Sequence, residues 1–395
     1  MRIIMKKVKV TKRAALQLTK GYPLITSQDL INEADQLVAG WVRFTDPQGN
    51  YLGTGYLGKQ NKGCGWLLSQ NQEELIDQDF FCDLFAKAVV QRQQIDNQLT
   101  TAYRLFNGEG DGLGGVTVDV YDTFALFTWY NTTIYQQRDI IIAALLAEAP
   151  FISGAYEKNR FDLAGLPESQ HIYGAEAATP LLVKENGVTF ATYLDDGMMT
   201  GIFLDQKDVR GRLVDGLALG LNVLNTFSYT GAFSVAAAMG GAASTVSVDL
   251  AKRSLAKTKE MFEINGLSLD NNKIVVMDVF EYFNYAKRKK MSFDMIILDP
   301  PSFARSKKRN FSVAQNYGDL VEDIAGLLVT KGILIASTNA ANVSFDKYRN
   351  MVETALRNQG RAFKRMETHR LPADFVINPH FKEGNYLKVL IYEVI

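Results

Sequence analysis

From about residue 196 onward the chain alternates apolar, strand-like runs with helix-like segments at about 25-residue spacing, and few folds accept that rhythm. Parallel neighbours cannot be joined by a tight turn, so strand, helix, strand at this spacing implies a parallel sheet with crossover helices. Strands are expected at 222–227, 245–249, 273–277, 293–298, 332–337 and 386–394. Helices are expected at 205–217, 232–239, 254–265, 279–289, 317–328 and 345–358. The fold class is therefore α/β, with a doubly wound, Rossmann-like domain over 194–395.

An open α/β sheet binds ligands beyond the carboxyl ends of its strands. After the first strand come Phe227, Ser228, Tyr229, Thr230, Gly231, Ala232 and Phe233. A single glycine before the helix permits close backbone approach and offers a helix N-terminus. It is not G-x-G-x-x-G, which disfavours a dinucleotide site. The second strand ends on Asp249, followed by Leu250; a carboxylate there can accept both hydroxyls of a ribose. The third ends before Asp278 and Val279, a carboxylate for an exocyclic amine and an apolar side chain for a ring. Capping of the next helix is the alternative role for Asp278. The fourth ends in Asp299-Pro300-Pro301-Ser302-Phe303, the most specific signal in the chain. Two prolines hold the backbone extended and remove donors, so Asp299 is a rigid acceptor beside an aromatic ring, suited to one edge of a planar base.

Ahead of this domain, residues 1–72 read as a small β-rich unit. Strands are expected at 6–10, 38–44 and 51–57, with Asp46-Pro47-Gln48-Gly49-Asn50 as a turn and a run of glycines suggesting a compact barrel. A crossover leads to a helix at 79–97. Within 73–193 the pattern is two strands about the loop Asn107-Gly108-Glu109-Gly110-Asp111-Gly112-Leu113, a helix at 132–149, a strand at 151–156 and a hairpin at 180–193. That makes a small α+β layer.

Charge and cysteine usage exclude several classes. The 43 Lys and Arg are balanced by 43 Asp and Glu, which rules out a uniformly cationic nucleic-acid binder. Yet residues 1–13, 287–290 and 305–309 hold basic residues and no acidic one, so an acidic body carries cationic strips. Two cysteines suit a reducing compartment, and three histidines do not supply a zinc site; no metal is expected. The start of the chain lacks a signal-peptide pattern, and the uncharged span 216–248 is too polar to cross a bilayer. A cytoplasmic location without membrane contact is expected.

Taken together, these residues resemble the class I methyltransferases that use S-adenosylmethionine, and more closely the bacterial 23S rRNA large-subunit methyltransferase I family. The likeness rests on Thr200-Gly201-Ile202-Phe203-Leu204-Asp205-Gln206, on 225–233, on Asn265-Gly266-Leu267 and on 299–303, with 107–113 matching that family's central module. The first 70 residues resemble its PUA domain, an RNA-binding β-barrel. The resemblance implies that Tyr229 to Phe233 surround the methionine part of S-adenosylmethionine, Asp249 holds the ribose, and Asp278 and Val279 the adenine. Gln206 and Arg210, one helical turn apart, are placed to face the cofactor carboxylate. The implied partner is RNA, either 23S rRNA or an assembly intermediate, and a homodimer is left open.

One departure concerns the reaction. Carbon 5 of cytosine must first be attacked by a thiolate, and the family's cytosine C5 enzymes place a cysteine after the fifth strand. Here that position is Asn339. The variant resembles the guanine N7 branch of rRNA methyltransferases, where positioning by Asp299, Phe303 and Asn339 could suffice. Arg305, Lys307, Lys308 and Arg309 follow the proline loop and are expected to contact RNA phosphates. A nicotinamide dehydrogenase would need a glycine fingerprint that is missing. A DNA amino-methyltransferase shares a similar proline loop, and a non-catalytic RNA-binding protein has no use for three strand-end aspartates.

Overall fold

The computed structural model describes residues 5–31, 39–61, 63–95, 98–305 and 310–395, with residues 304, 305 and 310 described in their main chain only. The catalytic-domain sheet contains β1 (Asn222–Thr226), β2 (Ser244–Asp249), β3 (Asn272–Val276), β4 (Phe293–Leu298), β5 (Leu328–Thr338), β6 (Phe363–His369) and β7 (Lys388–Val394). Their spatial order is β3-β2-β1-β4-β5-β7-β6. The first five run parallel; β7 is antiparallel to β5, and β6 to β7. Helices α1 (Lys207–Arg212), α2 (Ala232–Met239), α3 (Lys252–Glu263), α4 (Val279–Arg288), α5 (Val313–Ala325) and α6 (Phe345–Asn358) complete the domain.

Strand side chains alternate between two cores. Leu224, Ile296 and Leu334 pack with residues of α4, α5 and α6, whereas Val223, Met295, Ile297 and Ile335 pack with α1 and α2. Both faces are thus covered, as a parallel sheet requires. Thr226 pairs with Val248 on one side and Leu298 on the other, and Leu298 with Ala336. That register lines up the residues just past β1, β2, β4 and β5 on one sheet edge.

Three details differ from expectation. Helix α5 begins at Val313 rather than near 317, and β5 starts at Leu328. Strand β6 was not anticipated, because its residues Phe-Lys-Arg-Met-Glu-Thr-His are partly exposed at the sheet edge and carry no apolar run.

The first domain is a five-stranded sheet in the order Lys6–Lys9, Gly40–Thr45, Tyr51–Gln60, Gly63–Ser69, Leu24–Ile25. A bridge between Val10 and Leu30 brings its two edges together. Gly55 lets the central strands approach: a Cβ there would sit 2.0 Å from the Trp66 carbonyl oxygen. A helix at Lys12–Thr19, capped by the Thr11 hydroxyl, follows the expected first strand in a stretch to which no element was assigned.

The central sheet has the order Ser169–Gly174, Gly154–Asn159, Phe124–Trp129, Val116–Tyr121, Ala102–Asn107. Helices Gln78–Gln91 and Arg138–Glu148 pack on it. Strands Phe124–Trp129 and Ser169–Gly174 were not expected, and the helix at 132–149 divides into Thr132–Tyr135 and Arg138–Glu148. The hairpin of Leu181–Glu185 and Val188–Thr192 forms its own sheet, not part of the central one. Its Leu181, Val183, Val188 and Phe190 share a core with Ala232, Val235, Met261 and Phe262, so it is a buttress of α2 and α3.

Candidate active site

At the carboxyl edge of β1, β2 and β4 lies a cavity of about 570 Å³. Phe227, Ser228, Tyr229, Thr230, Phe233, Asp249, Leu250, Asp278, Val279, Asp299, Pro300, Pro301, Gln206, Arg210 and Asn339 all line it. Segments spread over 130 residues of sequence thus meet in one volume, as the strand register dictates.

The loop after β1 is held in an unusual backbone form. Phe227, Tyr229 and Gly231 have φ of 54°, 51° and 78°, a left-handed region costly for the two aromatic residues. Gly231 does not itself line the cavity; it closes the turn, and a Cβ there would lie 2.5 Å from Thr258 Cγ2. Polar bonds fix the loop. Tyr229 N–H donates to Asp249 Oδ2 at 2.8 Å, Thr230 Oγ1 donates to the Gly201 carbonyl at 2.6 Å, and Gly201 N–H donates to the Tyr229 hydroxyl at 3.1 Å.

Asp249 also accepts from Ala251 N–H at 2.8 Å. Each carboxylate oxygen keeps a second lone pair for a ligand hydroxyl. Asp278 caps α4: its Oδ1 accepts from the N–H groups of Phe280 at 3.0 Å and Glu281 at 3.2 Å. Capping and lining the cavity therefore coexist in one carboxylate, with Phe280 and the 58% exposed Leu250 beside it.

Asp299 is the perturbed group of the site. Burial, and then the Asp205 carboxylate, push its carboxyl up to about 6, against the hydrogen bonds of Ser337 and Gln206. Gln206 Nε2 lies 3.2 Å from Asp299 Oδ1 and donates to Ser337 Oγ at 2.7 Å. Its Oε1 is buried without a hydrogen-bond partner among the described residues, an acceptor left open at the cavity wall.

Arg210 Nε and Nη2 donate to the two oxygens of Glu185 at 2.6 and 2.7 Å, and Nη2 also to the Phe203 carbonyl at 2.7 Å. Both side chains are buried. The guanidinium lines the cavity while its charge is paired with the hairpin through Glu185.

Ser302 Oγ donates to Asn339 Oδ1 at 2.8 Å, which leaves the Asn339 amide N–H groups for another acceptor at the rim. Phe303, 69% exposed, lies outside the cavity and faces an adjoining hollow. Of the basic strip, Lys307, Lys308 and Arg309 lie outside the described residues, and Arg305 is described only as main chain. Lys287 of the other strip pairs with Asp323 at 3.1 Å. Cys64 and Cys82 sit against the cores of the first and central domains, and burial raises both thiols.

Sequence reasoning gave no role to Met199, Ile202, Phe203, Asp205, Arg253, Phe280 and Phe311, which also line the cavity. Two of them lie beside residues that were singled out. Asp205 adjoins Gln206, and Phe280 adjoins Val279, so the signal was adjacency to strand-end positions. Met199 to Phe203 come from a loop ahead of the sheet, where strand-end logic does not reach.

A family profile described as S-adenosylmethionine-dependent methyltransferase matches residues 167–391. The chain belongs to this family. A PUA-like domain profile matches residues 8–70. YwbD of Bacillus subtilis (strain 168), provisionally named a ribosomal RNA large subunit methyltransferase, is 45% identical over 394 residues, covering 98% of this chain and 100% of its own. Ribosomal RNA large subunit methyltransferase I of Aeromonas salmonicida (strain A449) is 34% identical, over 81% of this chain and 82% of its own. Among solved structures, SMU.776 complexed with SAH superposes with a TM-score of 0.91 at 45% identity, covering 98% and 100% of the two chains. As a member of the family, this methyltransferase uses S-adenosylmethionine, and its architecture is a PUA-like domain joined to a methyltransferase domain.

Proposed function

We propose that this methyltransferase modifies a base of 23S rRNA, at a ring nitrogen such as guanine N7. One observation carries the reading: strand-end residues suited to a nucleoside and to a planar base share one cavity, and no cysteine is among its lining residues. The ribosomal names of the relatives and the PUA-like match at 8–70 support RNA as the substrate.

The residues fit the cofactor chemically. S-adenosylmethionine supplies an electrophilic methyl group on a sulfonium. Asp249 would accept the ribose hydroxyls, and Asp278, Val279, Phe280 and Leu250 would hold the adenine. Gln206 Oε1, unpartnered among the described residues, offers an acceptor to the ammonium of the methionine part. Tyr229 and Thr230, fixed on Gly201, close the wall beside it.

On the substrate side, Asp299 would accept from an N–H on the edge of the base, Asn339 would donate to a base oxygen, and Phe303 would stack on the ring. Guanine N7 carries a lone pair and no proton, so the site must orient it and need not deprotonate it. Cytosine carbon 5 would require a thiolate, and both described thiols are built into other domains.

The test is nucleotide-resolved mass spectrometry of rRNA from a strain lacking the gene, followed by purified protein with labelled cofactor on that RNA. A lost purine mark restored in vitro is expected. Unaltered rRNA together with no transfer in vitro would reject the reading.

A further inference from the structure

Two hollows outside the cofactor cavity have no assigned role. One, of about 800 Å³, adjoins the cavity through Tyr229, Ser302, Asn339 and Asp205. The other, of about 880 Å³, meets the first at Asn61, Arg104, Tyr130, Arg160 and Tyr386, and reaches Lys59 and Gln60 of the PUA-like domain. The two form one trough from the proline loop, over the strand ends of the central sheet, to the first domain.

Its ionic groups divide into committed and available. Arg104 is bound to Asp119 at 2.6 Å and lies 4.5 Å over the Phe375 ring. Glu109 accepts from Trp66 Nε1 at 2.8 Å. Lys158 and Arg160, at the end of strand Gly154–Asn159, have no ion pair among the described residues. Lys158 Nζ donates to the Gly197 carbonyl, and Arg160 Nη2 donates to that of Met198 at 3.3 Å. Lys158 is buried, its ammonium lowered to about 8 by that burial against the opposing pull of Asp195, Asp196 and Glu168, so the accessible cation of the pair is the exposed Arg160. Tyr130, half-buried, forms the wall where the two hollows meet. An exposed guanidinium beside an aromatic ring fits a phosphate followed by a base.

We propose that this trough is a track for single-stranded RNA, in which Arg160 holds a phosphate and Tyr130 stacks a base flanking the target nucleotide. The inference rests on the rRNA reading above. A base that reaches Asp299 must leave its stack, in a single strand or flipped from a duplex, and a trough that opens from that point with a stacking ring and a phosphate ligand suits the single strand. The central domain then binds substrate, and the distance between PUA-like domain and cofactor becomes a spacing along RNA.

The test uses the full-length protein with a fluorescein-labelled single-stranded RNA, the matching duplex and polyglutamate, read by anisotropy at several salt concentrations. Arg160→Ala should weaken single-strand binding and lower the salt slope by about 0.7. Tyr130→Ala should weaken it by about tenfold or more. Arg160→Lys should recover most of the slope, while calorimetry with SAH stays unchanged in every variant. Wild-type affinity and slope in the Arg160→Ala/Tyr130→Ala double variant would overturn the track, as would preference for the duplex or for polyglutamate. Failure of the wild-type protein to bind any RNA would instead reject the rRNA reading.

Discussion

The side-chain amide of Gln206 stands 3.2 Å from the Asp299 carboxylate and joins a helix that enters the catalytic domain to the strand end that carries the proline loop. It also reaches Ser337 on β5, so three elements set the position of one acceptor. An ionised carboxylate held among neutral donors and partly withdrawn from water is destabilising to the fold and useful to a ligand with N–H groups.

This predicts opposite effects of pH on stability and activity. With the folded carboxyl raised to about 6, the folded state holds a proton that the unfolded chain has released. Its stabilising contribution is present below the unfolded value of 3.8 and is lost as pH rises through about 6. Asp299→Asn should therefore melt higher than wild type at pH 7, with the difference shrinking toward pH 4. Wild-type methyl transfer should fall below about pH 6, where the acceptor is protonated. A flat rate profile from pH 5 to 8 under single-turnover conditions would remove Asp299 from substrate binding.

Asp249 joins cofactor and loop. Asp249→Asn retains one acceptor oxygen for the main-chain N–H groups of Tyr229 and Ala251 and for the ribose. SAH affinity should fall about ten- to hundredfold, the loss of one charge-assisted hydrogen bond. Calorimetry measures this, and thermal melting of the ligand-free variant separates lost ligand contacts from a collapsed loop.

The Arg210–Glu185 pair anchors the 181–192 hairpin to the helix beside the cavity. Glu185→Gln leaves a buried guanidinium uncompensated and should cost about 3–5 kcal/mol in urea unfolding. Arg210→Met combined with Glu185→Leu should recover much of that loss. If the single substitution proves neutral, the ion pair does not secure the hairpin.

Neither thiol is needed for the chemistry proposed. The Cys64→Ala/Cys82→Ala variant should keep methyl transfer within about twofold, since both act as small apolar side chains. RNA containing 5-fluorocytosine should trap no covalent adduct. Loss of activity in a folded double variant would return the cytosine C5 route to consideration.

Much of the site was legible locally. Strands β1 to β4 each stop at an acidic or glycine-containing turn, and strand-end position is a property of sequence pattern alone. That is why Asp249, Asp278 and Asp299 could be singled out. The same logic was blind to Met199 and Phe203, which come from a loop outside the sheet, and to β6, whose edge position demands no apolar pattern. It also did not reveal the partner of Arg210: spacing on a helix shows which way a side chain points, not that a carboxylate 25 residues earlier pairs with it.

By itself, then, the sequence determined the succession of elements in the catalytic domain and the chemistry at its strand ends, because both follow from short-range patterns of hydrophobicity, glycine and proline. Only the tertiary structure decided the order β3-β2-β1-β4-β5-β7-β6, the hairpin's attachment to α2 and α3, the raised Asp299 carboxyl and the trough across three domains. These depend on which surfaces meet and how much water they exclude, and such long-range burial leaves no mark in any one stretch of chain.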